Sequence, residues 1–169
     1  MTTIGTDFTL ESVAWADPRA VALRARMDIE MTARYHRDEP EPAEVTRRRD
    51  AALAVDPLGV FATIVAVDAD SSPIGHAAVR DLRGDWEVKR VIVAADQRGR
   101  GVGRALMARL EEIARAAGVP RLILQTGNRQ PDAIALYERI GFTRIPIYEP
   151  YVETIPFSLC FEKVLVTAP

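Results

Sequence analysis

The most informative segment of this sequence is Val91-Ile92-Val93-Ala94-Ala95-Asp96-Gln97-Arg98-Gly99-Arg100-Gly101-Val102-Gly103-Arg104. An apolar, β-branched run predicts a strand, and the turn that follows it is dense in glycine and arginine. The next segment has apolar residues at helical spacing, namely Leu106, Leu110, Ile113 and Ala117. Gly118 is typical of a helix end. A strand, a glycine loop and a helix in this order present free backbone N–H groups to an anion, usually a phosphate.

Two common phosphate-binding motifs do not fit this loop. A Walker loop ends in Gly-Lys-Ser/Thr, and no lysine lies between Lys89 and Lys163. A dinucleotide fingerprint that starts at Gly101 needs a small residue where Leu106 stands. One that starts at Gly99 needs a small residue where Arg104 stands. A nicotinamide or ATP enzyme is therefore not expected, and an ordinary turn with solvated arginines remains an alternative interpretation.

A second helix with a distinctive sequence begins about thirty residues after the loop. Pro131 and Asp132 favour a helix start, and a short apolar strand, Arg121–Gln125, precedes them. The helix and its end read Ala133-Ile134-Ala135-Leu136-Tyr137-Glu138-Arg139-Ile140-Gly141-Phe142.

These two segments together resemble the GNAT acetyltransferase superfamily. Arg98-x-x-Gly101-x-Gly103 is similar to the family's Q/R-x-x-G-x-G/A loop, which holds the pyrophosphate of acetyl-CoA. The segment 133–142 is similar to its A-I-x-L-Y-E-x-x-G-F signature, and the resemblance covers roughly residues 87–163. It implies the α/β GNAT fold, in which helices flank a mixed, mostly antiparallel sheet. Its parallel fourth and fifth strands, here Trp86–Val93 and Arg121–Gln125, splay apart.

The rest of the chain predicts elements in the same order. We expect a strand at Phe8–Ala14, helices at about Pro18–Arg37 and Pro42–Val55, and a hairpin of Val60–Val67 with Ile74–Leu82. The predicted order is β-α-α-β-β-β-α-β-α-β-β. With 169 residues, 48% of them hydrophobic and 27% charged, we expect one acetyltransferase domain that spans residues 1–169.

Composition excludes several other classes of protein. A formal charge of −2 argues against a nucleic-acid partner, and no apolar run has the length of a membrane span. The segment Met1–Asp7 lacks the basic and apolar regions of a secretory signal. A single cysteine, Cys160, forms no internal disulfide, which agrees with a cytoplasmic location. The only histidines, His36 and His76, lie far apart, so no metal site is expected.

The resemblance implies that acetyl-CoA lies in the splay. Its pantetheine arm is expected along the fourth strand at Val91, Ile92 and Val93. Its pyrophosphate is expected on the loop residues Arg98, Gly99, Arg100, Gly101, Val102, Gly103 and Arg104, where glycines let the backbone approach closely. Gln130 stands where many relatives have an asparagine, and Asn128 is near enough to replace it, so both are assigned to the cofactor site.

The implied reaction is direct attack of a primary amine on the thioester. By resemblance Tyr137 is the acid that protonates the leaving thiolate, although it also lies on an apolar helix stripe and could be a core residue. Glu87 is the implied base, acting directly or through water. Its alternative role is an exposed strand residue that pairs with Lys89 or Arg90. Some relatives place a glutamate where this chain has Gln125, which cannot accept a proton.

The acceptor side is less specific. Tyr148, Glu149 and Tyr151 resemble a loop that walls the acceptor pocket in a bacterial subgroup, and could hold a cationic amine. A rigid turn that only packs is the alternative. Tyr35 is expected on the opposite wall.

We therefore expect an N-acetyltransferase for a small amine, amino acid or metabolite. A peptide or protein N-acetyltransferase and a non-catalytic acyl-CoA sensor stay open, as do monomer and homodimer.

Overall fold

The structure, a computed structural model, describes residues 7–165. Seven strands form one sheet in the order β1-β2-β3-β4-β5-β7-β6. The strands are β1 (Phe8–Val13), β2 (Val60–Asp68), β3 (Pro73–Leu82), β4 (Asp85–Val93), β5 (Arg121–Gly127), β6 (Thr143–Ile145) and β7 (Ser158–Val164). The helices are α1 (Pro18–Arg34), α2 (Ala43–Leu53), α3 (Val102–Ala116), α4 (Pro131–Arg139) and α5 (Tyr151–Thr154). Residues 1–6, in which no secretory signal is expected, lie outside the described residues.

The predicted α/β class and element order are confirmed, with two differences. The short helix α5 was not predicted, and α1 ends at Arg34 instead of near Arg37. At that end Arg34 and Arg129 each donate a hydrogen bond to the other's carbonyl oxygen, at 3.2 and 3.1 Å. The end of α1 is therefore attached to the loop after β5. No helix within residues 7–165 combines the length and the apolar character that crossing a bilayer requires.

Helices cover both faces of the sheet. On one face α3 buries Leu106, Met107 and Leu110 against the core. On the other face α1 buries Ala20 and Leu23. Successive residues of a strand point to opposite faces, and β2 accordingly places Ile64 and Val65 in these two separate clusters.

The splay between β4 and β5 is confirmed. These parallel strands pair only from Trp86↔Leu122 to Val88↔Leu124. Beyond that point β4 continues to Val93 and stays paired with β3, whereas β5 pairs with β7. The inner edge of β4 past Val88 is therefore open, at the carboxyl end of parallel strands where α/β sheets bind ligands.

A β-bulge bends β4 at this position. His76 pairs with Ile92 and Ala78 pairs with Lys89, so β4 carries one extra residue. Arg90 there has φ of 57°. His76 Nδ1 lies 2.6 Å from the Arg90 carbonyl oxygen, and Arg24 Nη1 lies 3.1 Å from Nε2. Because arginine only donates, Nδ1 carries the proton. Burial lowers the pKa of His76 to about 4, so a neutral imidazole holds the bulge.

Candidate functional site

Two adjacent cavities open at the splay. The larger of the two, which we call the acceptor cavity after the predicted acceptor residue Tyr35 in its lining, has a volume of about 820 Å³. It lies between α1, the segment after it, α2 and the ends of β4 and β5. The loop cavity, of about 560 Å³, follows the end of β4 to the loop before α3 and is bordered by α1 and α4. Both are lined by Met27, Met31, Val91, Gln130 and Tyr137.

The loop cavity ends at the N-terminus of α3. Gly101 is the N-cap residue, with φ of 82°, and neither a capping side chain nor an acidic residue occupies the first turn. The first helical hydrogen bond runs from Ala105 N to Gly101 O, so the preceding N–H groups have no acceptor within the helix. Free N–H groups and the positive end of the helix dipole form an anion site.

The glycines of this loop serve two purposes. Gly99 and Gly101 have φ of 83° and 82°, a conformation that side chains disfavour, and a Cβ on either would meet nothing within 4 Å. Gly103 instead allows close packing, because its Cβ would lie 3.1 Å from Leu136 Cδ2 and 3.6 Å from Val93 Cγ2. The absence of a side chain thus brings α3, β4 and α4 together around the cavity.

The three loop arginines have different surroundings. Arg98 donates to both carboxylate oxygens of Glu30, at 2.8 and 2.9 Å, and to the Val93 carbonyl oxygen. Arg100 makes two 3.0 Å hydrogen bonds to Asp68 and does not line the loop cavity. Arg104 lines that cavity and forms no ion pair within residues 7–165. The positive charge predicted at this loop is therefore partly neutralised by the chain itself.

The other predicted cofactor residues differ in whether they line a cavity. The strand residues Val91, Ile92 and Val93 line the loop cavity. Gln130 lines both cavities, whereas Asn128 lines neither. Of these two candidates for the asparagine position, Gln130 is the one that the structure brings to the splay.

Tyr137 stands between the two cavities. Its ring is buried near Phe142 and Phe161, with centroids 6.0 and 6.1 Å away, so it is a core residue as well. Burial raises the pKa of the Tyr137 hydroxyl, which is therefore protonated at neutral pH. The structure shows no hydrogen bond from this hydroxyl to another described residue. A protonated hydroxyl beside both cavities is suited to donate a proton to a leaving group in the splay.

Glu87 belongs to a buried network. Arg80 Nε donates to Oε1 at 2.9 Å, the Tyr148 hydroxyl donates to Oε2 at 2.7 Å, and the Tyr151 hydroxyl lies 3.0 Å from Oε2. Glu87 is 0% exposed and does not line the acceptor cavity. The alternative that Glu87 is an exposed residue is therefore wrong, because Glu87 is buried and pairs with the buried Arg80 at 2.9 Å. Of the two partners expected in that alternative, Lys89 lies 4.0 Å from Glu87 Oε1, whereas Arg90 pairs with Asp28 instead.

The predicted substrate residues are only partly brought to the acceptor cavity. Tyr148 and Tyr151 turn inward to Glu87, Glu149 is exposed, and none of the three lines the cavity. Ile155 and Phe157, from the same segment, line it instead. These residues could not be identified from a tyrosine motif, because the motif side chains face the core.

Tyr35 does line the acceptor cavity. Its ring stacks on Phe157, with centroids 5.7 Å apart, and its hydroxyl accepts a 3.1 Å hydrogen bond from Arg129 N. A Cβ on Gly127 would lie only 1.9 Å from that hydroxyl. Gly127 thus lets the end of α1 close over the tip of β5.

Lys89 is a cavity residue that sequence reasoning missed. It follows the last β4–β5 pair directly, and it lines the acceptor cavity although only 7% of the residue is exposed. Lys89 Nζ donates to the Tyr151 hydroxyl at 3.1 Å and lies 4.0 Å from Glu87 Oε1. Burial lowers the pKa of Lys89 to about 8. A sequence signal did exist, since lysine is rare in this chain.

Known proteins share this architecture. The chain is 30% identical to Acetyltransferase Atu2258 of Agrobacterium fabrum over 82% of this chain and 85% of that protein. It is 43% identical to the IAA acetyltransferase of Azospirillum brasilense over 54% of this chain. A Klebsiella pneumoniae crystal structure, described as a candidate acyl-CoA N-acyltransferase, superposes with a TM-score of 0.76 and 28% identity, covering 96% of this chain and all of that one.

The matches differ in how much of each relative they cover. The chain spans about half the length of the first curated relatives, 59% of the Azospirillum protein and 43% of a streptothricin acetyltransferase of Streptomyces lavendulae. The family model described as acetyltransferase (GNAT) family matches residues 23–142, which include the splay, the loop before α3 and Tyr137. The chain therefore belongs to the acetyltransferase (GNAT) family.

Proposed function

We propose that this chain, as a single domain, is an acetyl-CoA-dependent N-acetyltransferase for the primary amine of a small molecule. One observation carries the proposal. The open edge of β4 runs from an uncapped helix N-terminus in the loop cavity to the acceptor cavity, with Tyr137 at the junction. An anion site, an open strand edge and a proton donor therefore follow one another along β4.

The residues present fit acetyl-CoA, which supplies the acetyl thioester when bound. The N–H groups at the start of α3, with Gly99, Gly101 and Arg104, would hold the pyrophosphate. Backbone groups of Val91–Val93 that face the open edge of β4 would hydrogen-bond the pantetheine amides, as a neighbouring strand does. Arg98 would contribute in competition with the carboxylate of Glu30.

The chemistry assigned to the chain is proton transfer. Tyr137 would protonate the sulfur as the C–S bond breaks, a contribution typically worth about 10²–10⁴-fold in rate. Glu87 would act as a positioning residue, because its oxygens already accept hydrogen bonds from Arg80 and two tyrosines. Its hydrogen bonds to Tyr148 and Tyr151 would hold α5 and the turn before it against β4.

The acceptor cavity supports a small acceptor. Its volume of about 820 Å³ lies within the range of small-molecule sites. One relative is named for streptothricin, a small-molecule acceptor, and we extend that class of acceptor to this chain. A cytoplasmic location, and the expectation of no nucleic-acid, membrane or metal partner, stay predictions.

Calorimetric titration with acetyl-CoA tests the proposal, with NAD and ATP as controls. We expect selective binding of acetyl-CoA at micromolar affinity, or about −8 kcal/mol. Failure of the folded protein to bind acetyl-CoA, or equal binding of NAD, would overturn the proposed function.

Tyr137→Phe separates an enzyme from a non-catalytic acyl-CoA sensor. We expect kcat, measured by thiol release with a panel of amines, to fall about 100-fold because the proton donor is lost. The affinity for acetyl-CoA should change less than about twofold, since the ring remains in place. A sensor would bind acetyl-CoA but release no thiol with any amine, and an unchanged kcat would exclude Tyr137 as the acid.

A further inference from the structure

Lysine is almost absent from this chain. Of its 22 basic residues only Lys89 and Lys163 are lysines, and the rest are arginines. Lys163 lies outside both cavities, where it pairs with Glu111 and donates to the Ile140 carbonyl oxygen. Lys89 lies at the fork of the splay. Arginine stays charged at every working pH, whereas a buried lysine can become neutral and accept a proton.

The acceptor cavity needs such a group. Glu87 is saturated and shielded, and Gln125, which donates to Ser158 Oγ at 2.9 Å, cannot accept a proton onto its amide. The carboxylates Asp28 and Glu41 line the cavity but are paired with Arg90 and Arg49. The other titratable lining residues His36, Glu39 and Asp50 are exposed, and Tyr137 is already assigned as the acid. Lys89 is therefore the buried side chain of this lining that is left to accept a proton from an amine.

The contacts of Lys89 fit its neutral form. The Tyr151 hydroxyl donates to Glu87, so it accepts the hydrogen bond from Lys89 Nζ at 3.1 Å. A neutral amine can make that bond with one N–H and keep its lone pair free. The Tyr151 ring also holds the chain, with Nζ 5.3 Å from the ring centroid.

We propose that Lys89 is the general base that deprotonates the acceptor amine, an inference that rests on the proposed acetyltransferase function. The neutral Nζ takes one proton from the acceptor ammonium and becomes an ammonium itself. The amine nitrogen then forms the C–N bond as the C–S bond breaks, and Tyr137 protonates the sulfur. The second proton leaving nitrogen restores the Tyr137 hydroxyl, and Lys89 returns its proton to solvent.

The charges around Lys89 set the direction of the pH dependence. The pKa of Lys89 is lowered to about 8 in total: burial lowers it most, Glu87 raises it, and Arg80 on β3 and Arg90 on β4 lower it. Tyr151 on α5 faces it as a neutral hydroxyl, because burial raises the pKa of that phenol. The neutral fraction of Lys89 increases with pH, so kcat should rise through about pH 8 and then level off.

Lys89→Arg tests this assignment, with Lys163→Arg as the matched control. Arginine keeps the positive charge and the hydrogen bond to Tyr151 but cannot become neutral. We expect kcat to fall about 100-fold and the limb near pH 8 to disappear, while Lys163→Arg stays within about twofold of the wild type. Acetyl-CoA titration of both variants checks that the site is folded.

A carbon NMR titration of protein labelled at lysine Cε provides a readout independent of turnover. Only two side-chain signals arise, and Lys163→Arg assigns them. We expect the Lys89 signal to titrate with a midpoint of about 8. If Lys89→Arg fails to fold, Lys89→Gln and the wild-type titration take its place.

The outcomes separate the two proposals. Absence of acetyl transfer by the wild-type protein would overturn the proposed function and the base together. Transfer by the wild type and by Lys89→Arg at similar rates would overturn only the base, as would a Lys89 midpoint above about 10, the ordinary range of lysine. Loss of kcat confined to acceptors that carry a carboxylate would assign Lys89 to substrate binding instead and contradict the inference.

Discussion

The loop cavity and the Glu87 network both border strand β4 but are built in opposite ways. The loop cavity takes its chemistry from backbone, with glycines at positive φ and unpaired N–H groups at the start of α3. The Glu87 network takes its chemistry from side chains of β3, β4, α5 and the turn before α5. A backbone site needs a short contiguous motif, whereas a side-chain network needs the whole fold in place.

This difference predicts how each region responds to substitution. A change in the network leaves a buried charge without its partner and should act mainly on stability. A change in the loop should act mainly on ligand binding. Substitutions in each region, each with a matched control, test this contrast.

Glu87→Gln should lower the free energy of unfolding by about 3 kcal/mol, because a buried ion pair loses one partner while Arg80 stays in place. Urea unfolding measures the change. Glu44→Gln is the control, since Glu44 pairs with Arg47 on the surface, where the side chains are 60% and 76% exposed. That control should change stability by less than about 0.5 kcal/mol. A similar effect in both variants would contradict the description of Glu87 as the centre of a structural network.

Gly101→Ala should lower stability by about 1–2 kcal/mol, because φ of 82° disfavours a side chain. Its affinity for acetyl-CoA should fall about tenfold, since the loop can no longer hold its N–H groups in place. Gly84→Ala is the matched control, with φ of 91° in the turn between β3 and β4, outside both cavities. It should show the same loss in unfolding experiments and unchanged binding by calorimetry. Equal loss of affinity in both would mean that strain alone explains the effect.

Glu30→Gln should strengthen acetyl-CoA binding about threefold, because its carboxylate no longer competes with phosphate for Arg98. Calorimetry measures the change, and Glu112→Gln, which alters an exposed pair with Arg109, serves as the control. Weaker binding in Glu30→Gln would show that Glu30 holds Arg98 in its binding position instead of withholding it.

Much of the fold could be predicted from the sequence because its signals are local. The spacing of Leu106 and Leu110 and the positions of Gly101 and Gly118 define α3 without reference to the rest of the chain. The splay followed from the family resemblance and is confirmed. The bulge at Arg90 had no local signal, since it depends on the register of β4 against β3 and on the His76 side chain.

The candidate site was less predictable where it depends on distant contacts. Tyr148 and Glu87 are 61 residues apart, and Tyr151 and Arg80 are 71 apart. Whether such a tyrosine faces a cavity or the core depends on which strand lies opposite it. The sequence therefore identified the right residue types, but not that Tyr148 and Tyr151 turn to Glu87 while Lys89 lines the cavity.

Helix α1 is a wall common to both cavities. Met27 and Met31 line both, and Glu30 and Arg34 line the loop cavity from the same helical face. A shorter side chain at Met27 or Met31 would widen both cavities at once. Selection for a bulkier ligand in one cavity would therefore also reshape the other, so the ligand preferences of the two cavities are expected to evolve together.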